Sequence, residues 1–175
     1  MSKLRMPVTE DDHQTGNPKA KIILVEYGDY QCSHCGIAHP FIKRLLKEYG
    51  RELLFVFRNF PLQEVHPAAM MAALAAEAAG MQDKFWEMHD IIFEHQNNLT
   101  ASSLLHLAKT LQLKLEEFSR VWESKEVISK VESDFEGGIR SGVNGTPSFF
   151  INGTQLNSYD ESYESLAVAV RSLEK

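Results

Sequence analysis

The chain contains few cysteines and no long hydrophobic run. Two cysteines occur in its 175 residues. Residues 1–7 lack the apolar stretch of about 7 to 15 residues that marks a signal peptide, and no later segment reaches transmembrane length. We therefore expect a cytoplasmic protein if the chain is complete, and a periplasmic or otherwise extracytoplasmic one if it is a mature fragment.

Clusters of basic residues are also absent. The chain carries 18 lysines and arginines against 24 aspartates and glutamates, which gives a net charge of -6. Such a chain is a poor partner for nucleic acids and for anionic membrane surfaces. Because 43% of its residues are hydrophobic, it can bury a sizeable core without a disulfide to stabilise it.

Both cysteines lie in one motif, Cys32-Ser33-His34-Cys35, directly after an apolar run at residues 22–27. If a helix begins at Cys32, its unpaired N–H groups and the positive end of its dipole favour the Cys32 thiolate, which is the form that attacks disulfides. Cys35 lies one turn later and can resolve a mixed disulfide. A protonated His34 would lower the pKa of Cys32 further. The motif therefore predicts a redox site in which Cys32 attacks and Cys35 resolves.

Two other interpretations of the cysteine pair compete with this one. A structural zinc site needs four ligands, and no second Cys-x-x-Cys or finger-like pair of histidines follows. Inert core cysteines are not expected at this spacing after a strand. We favour the redox interpretation, which requires no organic cofactor and no metal.

The hydrophobic pattern predicts a βαβ unit, a set of helices and a ββα unit. Strands at 21–27 and 53–57 flank a helix from Cys32 to about Tyr49, and the polar segment before them is expected to be a surface loop. Apolar residues at helical spacing over 67–142 predict an all-helical insertion.

The C-terminal part returns to a strand pattern. Asn152-Gly153 separates two short strands and predicts a type I′ hairpin, and a helix over about 160–173 closes the chain. We predict two domains, one formed by residues 1–66 and 143–175 and the other by residues 67–142.

Three segments resemble the DsbA-like thiol-disulfide oxidoreductases. They are residues 25–35 (VEYGDYQCSHC), 58–61 (RNFP) and 142–153 (GVNGTPSFFING). The resemblance implies an α/β thioredoxin fold with a central mixed sheet and an inserted helical domain. It also implies protein or peptide thiols and disulfides as substrates, and an unidentified redox partner. Ser33 stands where strongly oxidising relatives carry proline, so the direction of electron transfer stays open.

The same resemblance assigns roles to three further residues. Pro147 matches the cis-proline that faces the cysteine pair, and Thr146 matches the residue whose backbone pairs with an extended substrate. The alternative is a turn proline before an edge strand. Glu26 matches a buried acidic residue behind the second cysteine. Because burial favours its neutral form, it can exchange a proton with Cys35; the alternative is a glutamate that points to solvent.

We therefore predict a protein disulfide oxidoreductase or isomerase, with Cys32, Cys35, Glu26 and His34 as catalytic residues and Thr146 and Pro147 as substrate contacts. Two other functions stay open. One is a kappa-type glutathione transferase or isomerase, although such relatives typically carry a serine at the catalytic position. The other is a non-enzymatic module that senses redox state or carries a metal. The histidines on the predicted insertion helices are expected at the surface or the edge of the core rather than as ligands.

Overall fold

The computed structural model describes residues 2–173. Within this range the strands are β1 (His13–Gly16), β2 (Ile22–Gly28), β3 (Leu53–Asn59), β4 (Ser148–Ile151) and β5 (Thr154–Gln155). They form one sheet in the order β1-β3-β2-β4-β5. β2 and β3 are parallel, and the other pairs are antiparallel. The sheet is therefore mixed, and β2, which leads into the cysteine motif, is its central strand.

Seven helices lie within the described residues. They are α1 (Ser33–Tyr49), α2 (Ala69–Gly80), α3 (Phe85–Glu94), α4 (Ala101–Thr110), α5 (Leu115–Val121), α6 (Lys125–Arg140) and α7 (Tyr163–Arg171). Helices α2 to α6 all lie between β3 and β4, as the sequence predicts. The side chains of Thr100, Ser124 and Ser162 accept hydrogen bonds at the first turns of α4, α6 and α7.

The prediction of a surface loop before the first strand is wrong for residues 13–16. These residues form β1, which pairs antiparallel with β3 from His13 opposite Phe57 to Gly16 opposite Leu54. The segment is polar and has no apolar alternation, so its sequence gives no strand signal. It forms a strand because the long apolar strand β3 would otherwise present an unpaired edge.

Alternating side chains of the central strand enter two hydrophobic cores. Leu24 belongs to the larger core, and Val25 and Tyr27 belong to the smaller core on the opposite face. The larger core continues without interruption from the sheet and α1 into the helices between β3 and β4. Glu26 shares the face of Leu24 because side chains alternate along a strand. The division into two domains stays a prediction.

The hairpin between β4 and β5 turns at Asn152 and Gly153. Their φ angles are 45° and 76°, so both residues occupy the left-handed region that a type I′ turn requires. The turn is joined to the central strand, since the Asn152 side chain accepts a hydrogen bond from the backbone N–H of Ile23. This bond holds the end of β4 beside the start of the central strand.

Candidate active site

Cys32 is the N-cap residue of α1. Its backbone is extended, with φ of -71° and ψ of 120°, and its carbonyl oxygen accepts a hydrogen bond from the N–H of Gly36. Its own N–H donates to the carbonyl oxygen of Asp29. This geometry points the free N–H groups of the first helical turn toward the Cys32 sulfur, as expected for an N-cap position.

The thiol of Cys32 is strongly acidified. A hydrogen bond from the Cys35 thiol is the largest cause that lowers its pKa, to about 5, and burial acts in the opposite direction. Hydrogen bonds at Thr146 and from the backbone N–H groups of Cys35 and His34 lower this pKa further. Cys32 is therefore mainly a thiolate at neutral pH.

Cys35 has the opposite electrostatics although it lies three residues away. It is fully buried, and burial is the main cause that raises the pKa of its thiol well above the usual value. The negative charges of Glu26 and of the Cys32 thiolate raise it as well. The backbone N–H of Asp29 lies 3.5 Å from the Cys35 sulfur. Cys32 itself is only 4% exposed. The pair thus combines a thiolate at the start of the helix with a protonated thiol one turn later.

The loop before β4 lies against the cysteine pair. The peptide bond between Thr146 and Pro147 is cis. The Cys32 sulfur lies 3.3 Å from the Thr146 carbonyl oxygen, and in its protonated form the thiol donates a hydrogen bond to this oxygen. The structure therefore brings the two segments that the sequence singled out into direct contact.

Glu26 lies on the central strand, between Phe57 of β3 and Phe149 of β4. Its side chain is 3% exposed, and no hydrogen bond to it is found among the described residues. Burial, followed by the negative charge of Cys32, raises its pKa to about 8. Glu26 is thus a carboxyl group that can gain or lose a proton near neutral pH.

The His34 imidazole is paired with Glu161. Its Nδ1 atom lies 2.6 Å from a carboxylate oxygen of Glu161, and both side chains are about half exposed. The backbone N–H of His34 donates a hydrogen bond that lowers the pKa of Cys32. The ring itself is positioned at the surface rim of the site.

Sequence reasoning missed Gln96, which follows α3. Its side-chain amide donates hydrogen bonds to the carbonyl oxygens of Tyr30 and Cys32, at 2.8 and 2.7 Å. Gly36 permits this approach, because a Cβ atom there would lie 2.3 Å from the Gln96 amide oxygen. Gln96 therefore joins the helical segment to the first turn of α1. No pattern near Gln96 indicates this role, since the contact is tertiary.

Sequence reasoning also missed Asp29, whose side chain holds together the loops around the site. Its buried carboxylate accepts hydrogen bonds from the backbone N–H groups of Gln31 and Leu62. The Nδ1 atom of His66 lies 2.8 Å from the same carboxylate. Asp29 thus joins the motif loop to the segment that follows β3.

A family model described as thioredoxin matches residues 8–170. The chain belongs to the thioredoxin family. This assignment confirms the thioredoxin fold and the resemblance predicted from the sequence. Among the described residues, no helix has both the length and the apolar character needed to cross a membrane.

Solved structures similar to this thioredoxin-family chain include DsbA-like proteins. BdbD from Bacillus subtilis is 23% identical, with a TM-score of 0.84 and coverage of 98% of this chain and 97% of that one. α-DsbA1 from Wolbachia pipientis is 25% identical, with a TM-score of 0.79 and coverage of 97% and 94%. A thioredoxin-like oxidoreductase from Silicibacter pomeroyi DSS-3 is 24% identical, with a TM-score of 0.83 and coverage of 95% of both chains.

Curated sequence relatives of this thioredoxin-family chain carry a different name. A Na(+)/H(+) antiporter NhaA 1 from Salinispora arenicola is 42% identical over 171 residues, which is 97% of this chain and 26% of that protein. A Na(+)/H(+) antiporter NhaA 3 from Salinispora tropica is 40% identical over 170 residues, with the same coverage. The chain thus spans about a quarter of the length of these relatives.

Proposed function

We propose that this chain is a protein thiol-disulfide oxidoreductase that exchanges disulfides with client proteins through Cys32 and Cys35. The observation that carries the proposal is the asymmetry of the pair. The pKa of Cys32 is lowered to about 5, and the pKa of Cys35 is raised. Near neutral pH Cys32 is therefore a thiolate that can attack a disulfide, whereas Cys35 stays a protonated thiol.

In the reducing direction, the Cys32 thiolate attacks one sulfur of a client disulfide, and the other client sulfur leaves as a thiolate. This step produces a mixed disulfide. Glu26, as a carboxylate, then accepts the proton of Cys35, and the Cys35 thiolate attacks the Cys32 sulfur. The second client thiolate leaves, the Cys32–Cys35 disulfide forms, and the client has gained two electrons. The reverse sequence oxidises a client dithiol.

The remaining predicted residues have binding and tuning roles in this proposal. The backbone of Thr146 and Pro147 holds an extended client segment beside Cys32, in the manner of an added strand. Support comes from the 3.3 Å contact between the Cys32 sulfur and the Thr146 carbonyl oxygen. A protonated His34 adds positive charge near Cys32, and its pairing with Glu161 moderates this effect. Isomerase activity requires that Cys32 act repeatedly before Cys35 closes the disulfide.

The first test is the equilibrium of the Cys32–Cys35 pair against reduced and oxidised glutathione, followed by alkylation and mass measurement. A two-electron exchange with a defined potential is expected, together with catalysed reduction of insulin or oxidation of a dithiol peptide. The absence of any turnover with both types of protein substrate would contradict the proposal. Turnover of glutathione with an electrophile in a Cys35→Ala variant would instead favour the kappa-type transferase.

A second candidate function is redox control of a cation–proton antiporter. The specific support is that this chain is 42% identical to a segment that makes up 26% of a protein named Na(+)/H(+) antiporter NhaA 1. In this case the clients are cysteines of an antiporter polypeptide. A Cys35→Ser variant, which cannot resolve mixed disulfides, tests this idea in cells: an antiporter among the covalently trapped proteins supports it. Trapping of other proteins alone, in cells that express the antiporter, argues against it.

A further inference from the structure

A second cluster of side chains that can bind metal lies behind the helix that carries the cysteines. His39 belongs to α1, and His89 and Asp90 are adjacent on α3. One ring nitrogen of each histidine and one carboxylate oxygen of Asp90 lie within 4.8 Å of one another. The three side chains border a pocket of about 230 Å³. We propose that His39, His89 and Asp90 bind one zinc ion in this pocket.

His39 supplies the observation that points to a ligand. Its side chain is 9% exposed, and its buried Nε2 atom makes no hydrogen bond with any described residue. The nearest carboxylate oxygen, Oδ1 of Asp90, is 3.4 Å away. A buried polar atom without a partner is costly, so native structures satisfy nearly all of them. A metal ion between the His39 nitrogen and this oxygen would satisfy both.

The other two ligands are already oriented by outer partners. Nδ1 of His89 lies 2.9 Å from the hydroxyl of Tyr30, which leaves Nε2 as the available nitrogen. Oδ2 of Asp90 accepts a hydrogen bond from Lys43 at 2.7 Å, which leaves Oδ1 available. Metal-binding histidines and carboxylates characteristically have such second partners, which hold the ligating atom in place. The Lys43 ammonium can therefore stay on the outer oxygen when the metal is bound.

The donor set favours zinc over hard cations. Two imidazoles and one carboxylate, with a fourth position open to water, are a common zinc arrangement, whereas calcium and magnesium prefer oxygen ligands. Tetrahedral zinc brings its ligand atoms to about 3.3 Å from one another. Asp90 is one-third exposed and can rotate to close the remaining gap. The bound ion would connect the active-site helix α1 to α3 of the helical segment.

The proposal is tested by zinc titration of the full chain in its oxidised form, after removal of metal with a chelator. In this form Cys32 and Cys35 are joined in a disulfide and offer no thiolate ligand. We expect one zinc ion per chain by calorimetry and a rise in melting temperature with zinc. Asp90→Asn and His39→Gln should each weaken zinc binding by at least tenfold. His106→Gln, which changes an exposed histidine on α4, should leave it unchanged.

A cobalt titration distinguishes this site from loose surface binding. Co²⁺ in the oxidised wild-type chain should give the visible absorption of a tetrahedral site, and zinc should displace it. The proposal is overturned if the oxidised wild type binds no zinc at micromolar concentration, or if the Asp90→Asn variant binds it as tightly as the wild type. Because Asp90 is partly exposed, this variant stays informative even if substitution of buried His39 prevents folding.

Discussion

The Cys32 sulfur lies 3.3 Å from the Thr146 carbonyl oxygen, although 114 residues separate the two in the chain. The contact places the most acidic thiol of the site beside a stretch of backbone at the start of β4. An extended client that pairs with this stretch would bring its own sulfur close to Cys32. In the proposed mechanism, attack and client binding therefore depend on the same few atoms.

The order of attack gives the first prediction. Cys32→Ser should abolish disulfide exchange, because a serine hydroxyl at this position does not attack a client disulfide. Cys35→Ser should still attack, but it should accumulate a mixed disulfide that cannot be resolved. Non-reducing gels and intact-mass measurements after mixing with an oxidised peptide distinguish the two. Exchange at the wild-type rate by Cys32→Ser would refute this order.

The acidity of Cys32 gives a second prediction. Because hydrogen bonds from Cys35, Thr146 and the backbone lower its pKa to about 5, its alkylation rate should rise with pH to a plateau, with a midpoint near pH 5. A thiol without these partners would titrate near 9. The lowered pKa of Cys32 stabilises the folded reduced form at pH values above 9. This stabilisation is lost as the pH falls toward 5. Iodoacetamide kinetics over this range measure the midpoint; one near 9 would contradict the assignment.

Substitution of Glu26 should slow the second half of the reaction. The wild-type carboxyl has a pKa of about 8, so its capacity to accept the Cys35 proton, and with it the rate of mixed-disulfide release, should rise with pH through that value. Glu26→Gln should release the mixed disulfide more slowly and lose this pH dependence, with little change in the pKa of Cys32. Stopped-flow release from a fluorescent peptide is a suitable measurement. An unchanged release rate from pH 6 to 8 would remove Glu26 from the mechanism.

The same substitution should stabilise the reduced fold at alkaline pH. The folded state holds the Glu26 proton up to about pH 8, whereas the unfolded state releases it near pH 4.5. Between these two pH values the folded state therefore binds more protons than the unfolded state. For this reason the stability of the wild type falls as the pH rises from 4.5 to 8. At pH 8 or above, Glu26→Gln should be more stable by on the order of 4 kcal/mol. Urea unfolding at pH 5 and pH 8 measures the difference. Equal stability gains at both pH values would show that the buried charge is not the cause.

Gln96 gives a prediction about position rather than chemistry. Gln96→Ala removes two hydrogen bonds to the carbonyls of Tyr30 and Cys32, which should destabilise the fold by about 1 to 3 kcal/mol. It should also raise the pKa of Cys32, because the first turn of α1 is held less firmly. Gln82→Ala is the matched control, since Gln82 also bonds to a backbone carbonyl but lies in an exposed loop. A loss of stability without any shift in the alkylation midpoint would leave Gln96 a purely structural residue.

Several features of the fold follow from local sequence. The βαβ unit follows from the apolar runs of β2 and β3 and from the helical pattern between Cys32 and about Tyr49. Asn152 and Gly153 give the hairpin, because both accept positive φ. The polar strand β1 does not follow from its own residues. It exists because β3 offers an unpaired edge, which is information held elsewhere in the chain.

For the site, the sequence by itself predicts which sulfur attacks. The spacing of Cys32 and Cys35 at a helix start indicates this order through local backbone geometry. The tertiary structure alone decided that Gln96 and Asp29 hold the motif loop, that the His34 ring faces Glu161, and that His39 meets His89 and Asp90. These contacts join segments far apart in the chain, and no local periodicity specifies them. They arise when the helices after β3 pack against the sheet and α1 to bury their shared core.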